Sequence, residues 1–437
     1  EHLPYKQRVG GSNPSTPTDK ESKHLSIKTV SVFLFCVIHT QHKVGCFFTT
    51  LILATFAPQN KEHMLTNIYL KEVEELYATP ILQQTAFWSV VKNSLGEETI
   101  AINFKSRKSD LYTGTDDCST VNSDVLVLLK QIDRNYSVAY VPYGPELEPA
   151  DEFQGMFLEE LSESLRSFLP KSCILIRYDL CWESYWAKEQ DYFNKNGIWK
   201  GEPEISTQEF RFNFNTQLWN FKKANYNILP ANTIYLDLTH DYDTLLRRMK
   251  PKTRYNIKLA HRKGVTVRSM GMEEIDIWYK LYKETAQRNR ILLNDLKYFK
   301  AVLAARADDT RSPADVRLLV AEYETKPLAA LFLVISKNRG SYLYGASSSE
   351  HRNLMPTYAL QWEAICQSKA AGCTEYDMFG ISPSPNPAHP LYGLYKFKSG
   401  FGGSIFHSLG CWDYPLHKEM YSIFRASELN SQGYHLS

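Results

Sequence analysis

Short apolar runs and longer amphipathic segments alternate along most of the chain. Val125–Leu129 and Cys173–Asp179 are largely apolar runs of the length typical of buried strands. Phe153–Leu169 carries apolar residues at helical spacing and is closed by Pro170. From Met64 onward this alternation predicts an α+β fold, with mixed sheets flanked by helices.

A second series of elements begins near Asn232. It is predicted to contain three antiparallel strands, a helix and a further strand, at Val316–Glu322, Leu328–Ser336, Ser341–Ser347, Pro356–Gly372 and Tyr376–Gly380. This order resembles the acyltransferases of the GNAT superfamily. A member that uses acyl-CoA needs a glycine-rich turn at the start of the helix, where backbone N–H groups hold the pyrophosphate. Glu350–Pro356 occupies that position without a glycine, so the fold is expected without the CoA site.

The segment His389–Gly403 concentrates aromatic rings, four glycines and two lysines. Its alternating residues predict a strand with Tyr395 and Phe397 on one face and Lys396 and Lys398 on the other. Two interpretations stay open from these residues alone. The segment is either a solvated amphipathic edge strand or a loop-like element that holds a lysine toward a cleft.

Charge is nearly balanced over the 437 residues, with a net charge of +2, but it is unevenly distributed. Between Arg247 and Arg268 there are nine lysines or arginines and no acid. Arg254, Lys258 and Arg262 follow one another at every fourth residue of a predicted helix, where like charges disfavour one another. This cluster favours a polyanionic partner such as tRNA or a diphosphate, and a merely solvated basic face is the alternative.

Cysteine and histidine spacing gives no sign of a metal or disulfide framework. The eight cysteines form no CxxC pairs, and the twelve histidines show neither HExxH nor a Cys/His cluster at zinc spacing. We expect mostly reduced thiols in an intracellular protein, and no metal site.

Residues 1–63 differ from the rest of the chain. A polar tract reaches about Lys28, and the apolar runs Val30–Ile38 and Val44–Phe56 are each shorter than the roughly 20 residues that span a bilayer. We expect a poorly ordered or non-native extension here, and a weak membrane anchor is the alternative.

Four ordered motifs together resemble the FemA/FemB/FemX family of peptidoglycan interpeptide-bridge aminoacyltransferases. The motifs are Met249–Gly264, His351–Pro356 with Gln361–Ile365, Asp377–Ile381, and His389–Gly403. The resemblance is strong over 232–410, weaker back to Met64 and absent from 1–63. Two departures accompany it. The interval between Gly264 and Val316 is too short for the long helical arm of some members, and Met378-Phe379-Gly380 replaces paired glycines, which leaves the donor open.

The resemblance implies two GNAT-like domains, one at 64–231 completed by 410–437 and one at 232–409. It implies transfer of an amino acid, with glycine, alanine and serine as candidates, from aminoacyl-tRNA to the side-chain amine of a stem peptide. The acceptor would be a UDP- or lipid-linked muropeptide, and aminoacyl-tRNA would be a co-substrate with no further cofactor. The protein would be a cytoplasmic monomer, with peripheral contact to the inner face of the membrane.

The resemblance also implies roles for individual residues. Lys398 would stabilise the oxyanion of the transition state, and Asp179, expected where a strand emerges at a sheet edge, is a candidate base. The residues expected to bind the acceptor or its phosphates are Lys92, Arg288, Tyr344 and Lys396. The basic helix, with Arg254, Lys258 and Arg262, would bind tRNA. The alternatives are a GNAT-like N-acyltransferase with another acyl donor and a non-catalytic tRNA- or muropeptide-binding protein.

Overall fold

One continuous mixed sheet organises the part of the chain that the structure describes. The computed structural model describes residues 63–289 and 292–430. Its strands are β1 Leu65–Lys71, β2 Glu98–Arg107, β3 Thr120–Gln131, β4 Ser137–Pro142, β5 Cys173–Glu183, β6 Lys222–Lys223, β7 Asn232–Asp237, β8 Thr266–Met270, β9 Ala314–Tyr323, β10 Lys326–Ser336, β11 Arg339–Ser347, β12 Glu375–Asp377 and β13 Ser404–Pro415. They lie in the order β1-β2-β3-β4-β5-β13-β7-β12-β11-β10-β9-β8, with β6 beside β13.

Helices cover this sheet and connect its strands. They are α1 Ala86–Ser94, α2 Lys108–Leu111, α3 Gln154–Leu165, α4 Tyr185–Lys188, α5 Ile205–Asn213, α6 Tyr242–Arg248, α7 Pro251–Arg262, α8 Ile275–Asn289, α9 Leu296–Ala304, α10 Pro356–Ala370, α11 Tyr392–Lys398 and α12 Lys418–Asn430. Between β8 and β9 the described residues form a single 3-10 turn, α8 and α9, and no long helical arm. Within the described ranges, no helix combines the length and the apolar character needed to cross a membrane.

The sheet consists of two halves with the same order of elements. In the first half β1 to β4 are antiparallel, and β5 pairs in parallel with β4 after the helix α3. In the second half β8 to β11 are antiparallel, and β12 pairs in parallel with β11 after the helix α10. The prediction of an α+β fold with two GNAT-like halves is therefore confirmed.

The stretch 1–63, predicted to be an extension, lies outside the described residues except for His63.

The strand β13 joins the two halves. Its first residues, Ser404–His407, pair with β7, and its later residues pair with β5 from Ser408 onward. The register shifts near Gly410, which has a φ of 63° and approaches Asn227 so closely that a Cβ would lie 2.3 Å from its Oδ1. The domain boundaries at 231/232 and 409/410 stay a prediction, and β13 runs without a break through the second of them.

Both faces of the second half are buried, as its alternating residues require. On β9, Leu318 and Val320 pack on the face covered by α1, α8 and α9, whereas Leu319 and Ala321 pack on the face covered by α7 and α10. These are called the α8 face and the α7 face below. The two faces are separated by a single layer of strands, so a break between two strands would connect them.

The prediction of a strand within His389–Gly403 is wrong. The segment contains α11, and Phe397 packs at 5.0 Å from the ring of Tyr358 and at 5.3 Å from that of Phe401. Seven residues are too few for their own periodicity to separate a strand from two helical turns. Packing against residues that are distant in sequence decides for the helix and turns Lys398 inward.

Buried ion pairs fasten the C-terminal helix α12 to the sheet. Arg177 on β5 donates from Nε to Asp413 Oδ1 at 2.6 Å and from Nη1 to Glu428 Oε1 at 2.7 Å, and all three side chains are buried. Removing one member of such a group leaves a buried charge without its partner, which costs far more than losing an exposed pair.

We expect Asp413→Ala to lower the free energy of unfolding by about 3–5 kcal/mol, measured by urea denaturation. The matched control is Glu350→Ala, which removes the exposed ion pair with Lys326 and should cost less than about 1 kcal/mol. Equal losses in the two variants would contradict this account of the buried pairs.

Candidate active site

The strands β11 and β12 separate soon after they meet, and this opens the sheet. Their parallel ladder contains only Arg339 with Glu375, Gly340 with Tyr376, and Ser341 with Asp377. β11 continues to Ser347, whereas the chain leaves β12 at once, through Phe379 in the left-handed region with a φ of 58°. A positive φ is uncommon for a bulky residue and marks a backbone position imposed by its surroundings. The result is a gap between the two strands just beyond Ser341 and Asp377.

Lys398, the last residue of α11, fills this gap. Its Nζ donates hydrogen bonds to the carbonyl oxygens of Phe379 at 3.0 Å and Gly380 at 2.8 Å. It also lies 5.1 Å from the centre of the Tyr342 ring, and the residue is only 4% exposed. The lysine predicted as catalytic is therefore held rigidly at the opening of the sheet.

Burial dominates the electrostatics of this lysine. It lowers the pKa of Lys398 to about 7, although the nearby Asp377 carboxylate acts in the opposite direction. Burial likewise raises the pKa of Asp377, against the effects of Arg339, the Thr233 hydroxyl and the Phe379 N–H. A lysine in this state changes its charge near neutral pH, as groups that take part in catalysis often do.

Asp377 is a site residue that the sequence prediction did not single out. Its Oδ1 accepts hydrogen bonds from the Thr233 hydroxyl at 2.5 Å and from the Phe379 N–H at 2.8 Å. The signal available in the sequence was its place within the predicted strand Tyr376–Gly380, two residues before Phe379, whose carbonyl binds Lys398 together with that of Gly380. That relation becomes visible only once α11 has folded back onto the gap.

A cleft lies on the α8 face beside Asp377. It encloses about 440 Å³, part of it open to solvent, and its walls come from both halves of the sheet. The polar side chains of its floor are Thr233, Tyr235, Arg339, Ser341 and Asp377, and Pro80–Gln83, Tyr143 and Phe379 form part of its walls. Within the described residues, no group of three or more His, Cys, Asp or Glu side chains is arranged to hold a metal ion.

Three predicted acceptor-binding residues come together on this same face. Tyr344 and Tyr298 share a hydrogen bond of 2.5 Å between their hydroxyls, and the Lys92 Nζ lies 5.7 Å from the centre of the Tyr298 ring and 3.0 Å from Glu97. Arg288, at the end of α8, donates from Nη1 to the carbonyl of Ser347 at 2.9 Å.

A bulge in β11 places Tyr344 on this face. The register between β10 and β11 shifts at Leu343, so that Leu343 and Tyr344 both pack with the α8 core while Tyr342 packs with the α7 core beside Lys398. Tyr342 and Tyr344, two residues apart on one strand, thus lie on opposite faces of the sheet.

Asp179 lies apart from Lys398, inside β5. The expectation that it emerges at a sheet edge is wrong, since β5 lies between β4 and β13. Its Oδ2 accepts hydrogen bonds from the Tyr140 hydroxyl at 3.1 Å and the Leu229 N–H at 2.7 Å, and burial raises its pKa to about 6. No hydrogen bond or ion pair joins it to Lys398 in the described part of the chain. It occupies in the first half the place of Asp377 in the second, at the last pair of the parallel ladder.

The predicted RNA-binding and phosphate-binding residues are not equivalent. Arg254 folds back and donates to the carbonyls of Arg247 and Met249, at the end of α6. Lys258 and Arg262 are exposed on α7, and Lys396 is exposed on α11, away from the gap that Lys398 enters. Of the predicted basic residues, Arg254 therefore caps a helix, whereas Lys258, Arg262 and Lys396 face solvent.

Comparison with known proteins places this arrangement in a family. The model of the FemAB family matches residues 74–311 and 306–428. A lipid II:glycine glycyltransferase of Staphylococcus epidermidis is 23% identical over 257 residues, which cover 45% of this chain and 61% of that protein. The protein of the same name from Staphylococcus aureus is 21% identical over 258 residues, with the same coverage. The aligned region therefore spans less than two thirds of these relatives.

A solved structure gives the same result at the level of the fold. The crystal structure of FemX superposes with a TM-score of 0.60 at 18% identity, over 81% of this chain and 96% of that one. The FemAB match includes every strand of the sheet except β1, from before α1 into α12, and therefore the gap, its lysine and the cleft. The chain belongs to the FemAB family, as its ordered motifs predict.

Proposed function

We propose that this protein transfers an amino acid from aminoacyl-tRNA to the side-chain amine of the stem peptide in a peptidoglycan precursor. The observation that carries the proposal is the ammonium of Lys398, fixed by two carbonyls at a gap between the faces of the sheet. The names of the relatives, lipid II:glycine glycyltransferases, support a peptidoglycan precursor as acceptor and glycine as the transferred residue, with alanine and serine as further candidates.

The reaction exchanges an ester for an amide. The neutral amine of the acceptor attacks the ester carbonyl carbon, the new C–N bond forms, and the C–O bond to the terminal ribose breaks. The amine loses a proton and the ribose oxygen gains one, so no cofactor is needed. A negative charge develops on the carbonyl oxygen, and a pre-positioned ammonium stabilises it without reorganisation. Two of the three N–H donors of Lys398 bind Phe379 and Gly380, which leaves the third for this oxyanion.

A base is needed to take the proton from the amine, and a carboxylate can fill that role. Asp377 lines the cleft next to the gap and interacts electrostatically with Lys398, which makes it the better placed candidate. Asp179 remains a second candidate, buried within β5 beside the Tyr140 hydroxyl.

The acceptor enters from the α8 face in this proposal. Arg288 and Lys92 would bind the diphosphate that links the muropeptide to a nucleotide or lipid, and Tyr344 lies on β11 between Ser341 at the gap and Ser347, which Arg288 contacts. Binding would require Lys92 to exchange its ion pair with Glu97 for a phosphate oxygen. We place the protein in the cytoplasm as a monomer, with peripheral contact to the inner membrane surface when the acceptor is lipid-linked.

We expect incubation with a charged tRNA and a muropeptide to increase the acceptor mass by one amino acid residue, measured by mass spectrometry. Glycyl-, alanyl- and seryl-tRNA are to be tested separately on UDP-linked and lipid-linked acceptors. The proposal is abandoned when no combination of donor and acceptor shows a gain in mass.

Lys398→Met removes the ammonium while keeping an unbranched side chain of similar volume. We expect it to lower kcat by about 10²–10³-fold and to leave the KM for the acceptor nearly unchanged, because the charge acts on the transition state. Arg288→Ala should mainly raise the acceptor KM. A Lys398→Met enzyme with normal kcat would refute the catalytic role.

The rate should also depend on pH through Lys398. The ammonium is present below pH 7 and is lost as pH rises through the pKa of about 7, so kcat at saturating substrates should fall toward tenfold per unit above that pH. The residual rate of Lys398→Met should lack this descending limb. The same limb in both proteins would show that another group titrates.

A stability measurement provides a control that does not require turnover. An unfolded lysine keeps its proton up to about pH 10.4, whereas folded Lys398 releases it above a pKa of about 7. The unfolded state therefore binds more protons between these values, and the stability of the wild type relative to Lys398→Met should rise with pH in this window. A flat difference would contradict the low pKa.

A further inference from the structure

The outward face of α7 presents one aromatic ring among positive charges. Tyr255 is 56% exposed, and the exposed Lys252, Lys258 and Arg262 lie three residues before it and three and seven residues after it. Residues at these spacings share one face of a helix. The opposite face of α7, with Ile257 and Ala260, is buried in the core. These four exposed residues are called the Tyr255 platform below.

The positive charge of this platform is not neutralised by the fold. Other basic residues nearby have partners: Arg268 pairs with Glu274 and Glu322, Arg248 with Asp237, and Arg254 with backbone carbonyls. Among the described residues, Lys252, Lys258 and Arg262 form no ion pair. A helix that keeps such charges on one face gains from an anionic partner that brings several negative groups at regular spacing.

The aromatic ring indicates which polyanion fits. Proteins that bind single-stranded nucleic acids combine a basic surface for the phosphates with aromatic rings on which bases stack. The Arg262 guanidinium lies 5.9 Å from the centre of the Tyr255 ring, so the ring already has a cation beside it and keeps exposed surface for a base. A bilayer surface would be served better by several contiguous apolar side chains, and this face offers a single aromatic ring.

The platform is connected to the segment that carries Lys398. The N–H of Lys250, just before α7, donates to the carbonyl of Gly400 at 2.8 Å, and the Lys250 Nζ donates to Ser399 Oγ at 3.1 Å. Gly400 lies so close to α7 that a Cβ would be 2.3 Å from the Thr253 hydroxyl. Tyr255 is five residues along the helix from Lys250, a rise of about 7–8 Å.

We propose that the Tyr255 platform binds the single-stranded 3′ end of an RNA, with a base stacked on Tyr255 and phosphates on Lys252, Lys258 and Arg262. The identification of that RNA as the aminoacyl donor rests on the proposed function. The donor then approaches from the α7 face, the acceptor occupies the α8 face, and Lys398 lies in the gap that connects them.

The test is fluorescence anisotropy with a labelled single-stranded RNA of about eight nucleotides that ends in CCA, a length within the range such sites cover. In the full chain, Tyr255→Ala should weaken binding about 5- to 150-fold, as expected for the loss of one stacked base, and Tyr255→Phe should retain it. Tyr69→Ala, which removes an exposed tyrosine on the edge strand β1, is the matched control and should bind normally.

Charge and stacking are separated by the salt dependence of binding. Lys258→Ala should reduce the slope of log affinity against log salt by about 0.7, as expected for one phosphate contact on a single strand. Lys195→Ala, an exposed lysine elsewhere, should leave the slope unchanged. Tyr255→Ala should lower the affinity and leave the slope unchanged.

Three results would overturn the platform. They are RNA binding by Tyr255→Ala at wild-type affinity, no RNA binding by the wild type, and a wild type that prefers phosphatidylglycerol vesicles and loses only vesicle binding in Tyr255→Ala. The proposed function fails separately. If RNA binding depends on Tyr255 but the protein transfers no amino acid, the platform is supported and the proposed function is overturned. If the protein transfers an amino acid and Tyr255→Ala leaves the KM for tRNA unchanged, the proposed function is supported and the platform is overturned.

Discussion

The central constraint in this structure is the early separation of two parallel strands. Where β11 and β12 part, backbone carbonyls that a continuing ladder would satisfy need other partners, because buried polar groups are rarely left without a hydrogen bond. Lys398 supplies two such bonds, to Phe379 and Gly380. The same side chain therefore satisfies the carbonyls at the gap and places an ammonium within it. An exposed lysine on the surface would make neither contribution.

Burial explains why this lysine differs from an ordinary one. Loss of solvation disfavours the charged form and lowers the pKa of Lys398 to about 7. The Asp377 carboxylate opposes this shift, because its charge favours the ammonium. The carboxylate is perturbed in the opposite direction by the same burial. Each group thus favours the charged form of the other, at the junction between a cleft on one face and a basic helix on the other.

The repeated order of elements gives this arrangement a counterpart in the first half. There β4 and β5 part beyond Pro142 and Asp179, and the carboxylate accepts hydrogen bonds from Tyr140 and Leu229, while the charge of Lys223 acts on it without a hydrogen bond among the described residues. The strand β13 pairs with both halves and fixes their relation through backbone hydrogen bonds. Lys398 occupies the gap of the second half, whereas residues beside the gap of the first half contribute walls to the cleft.

The sequence by itself determined the basic helix and the order of elements from β9 to β12, and it singled out Lys398 as a candidate, because long periodic segments and ordered motifs carry that information locally. Only the tertiary structure decided that Lys398 lies on a helix, that Arg254 caps α6 and that Asp377 lines the cleft near Lys398. It also showed that Tyr342 and Tyr344 pack on opposite faces of the sheet, because β11 contains a bulge that no local pattern reveals. The physical reason is common to all four. Each depends on packing or hydrogen bonding between residues brought together by the fold, and a short segment is compatible with more than one conformation until those partners arrive.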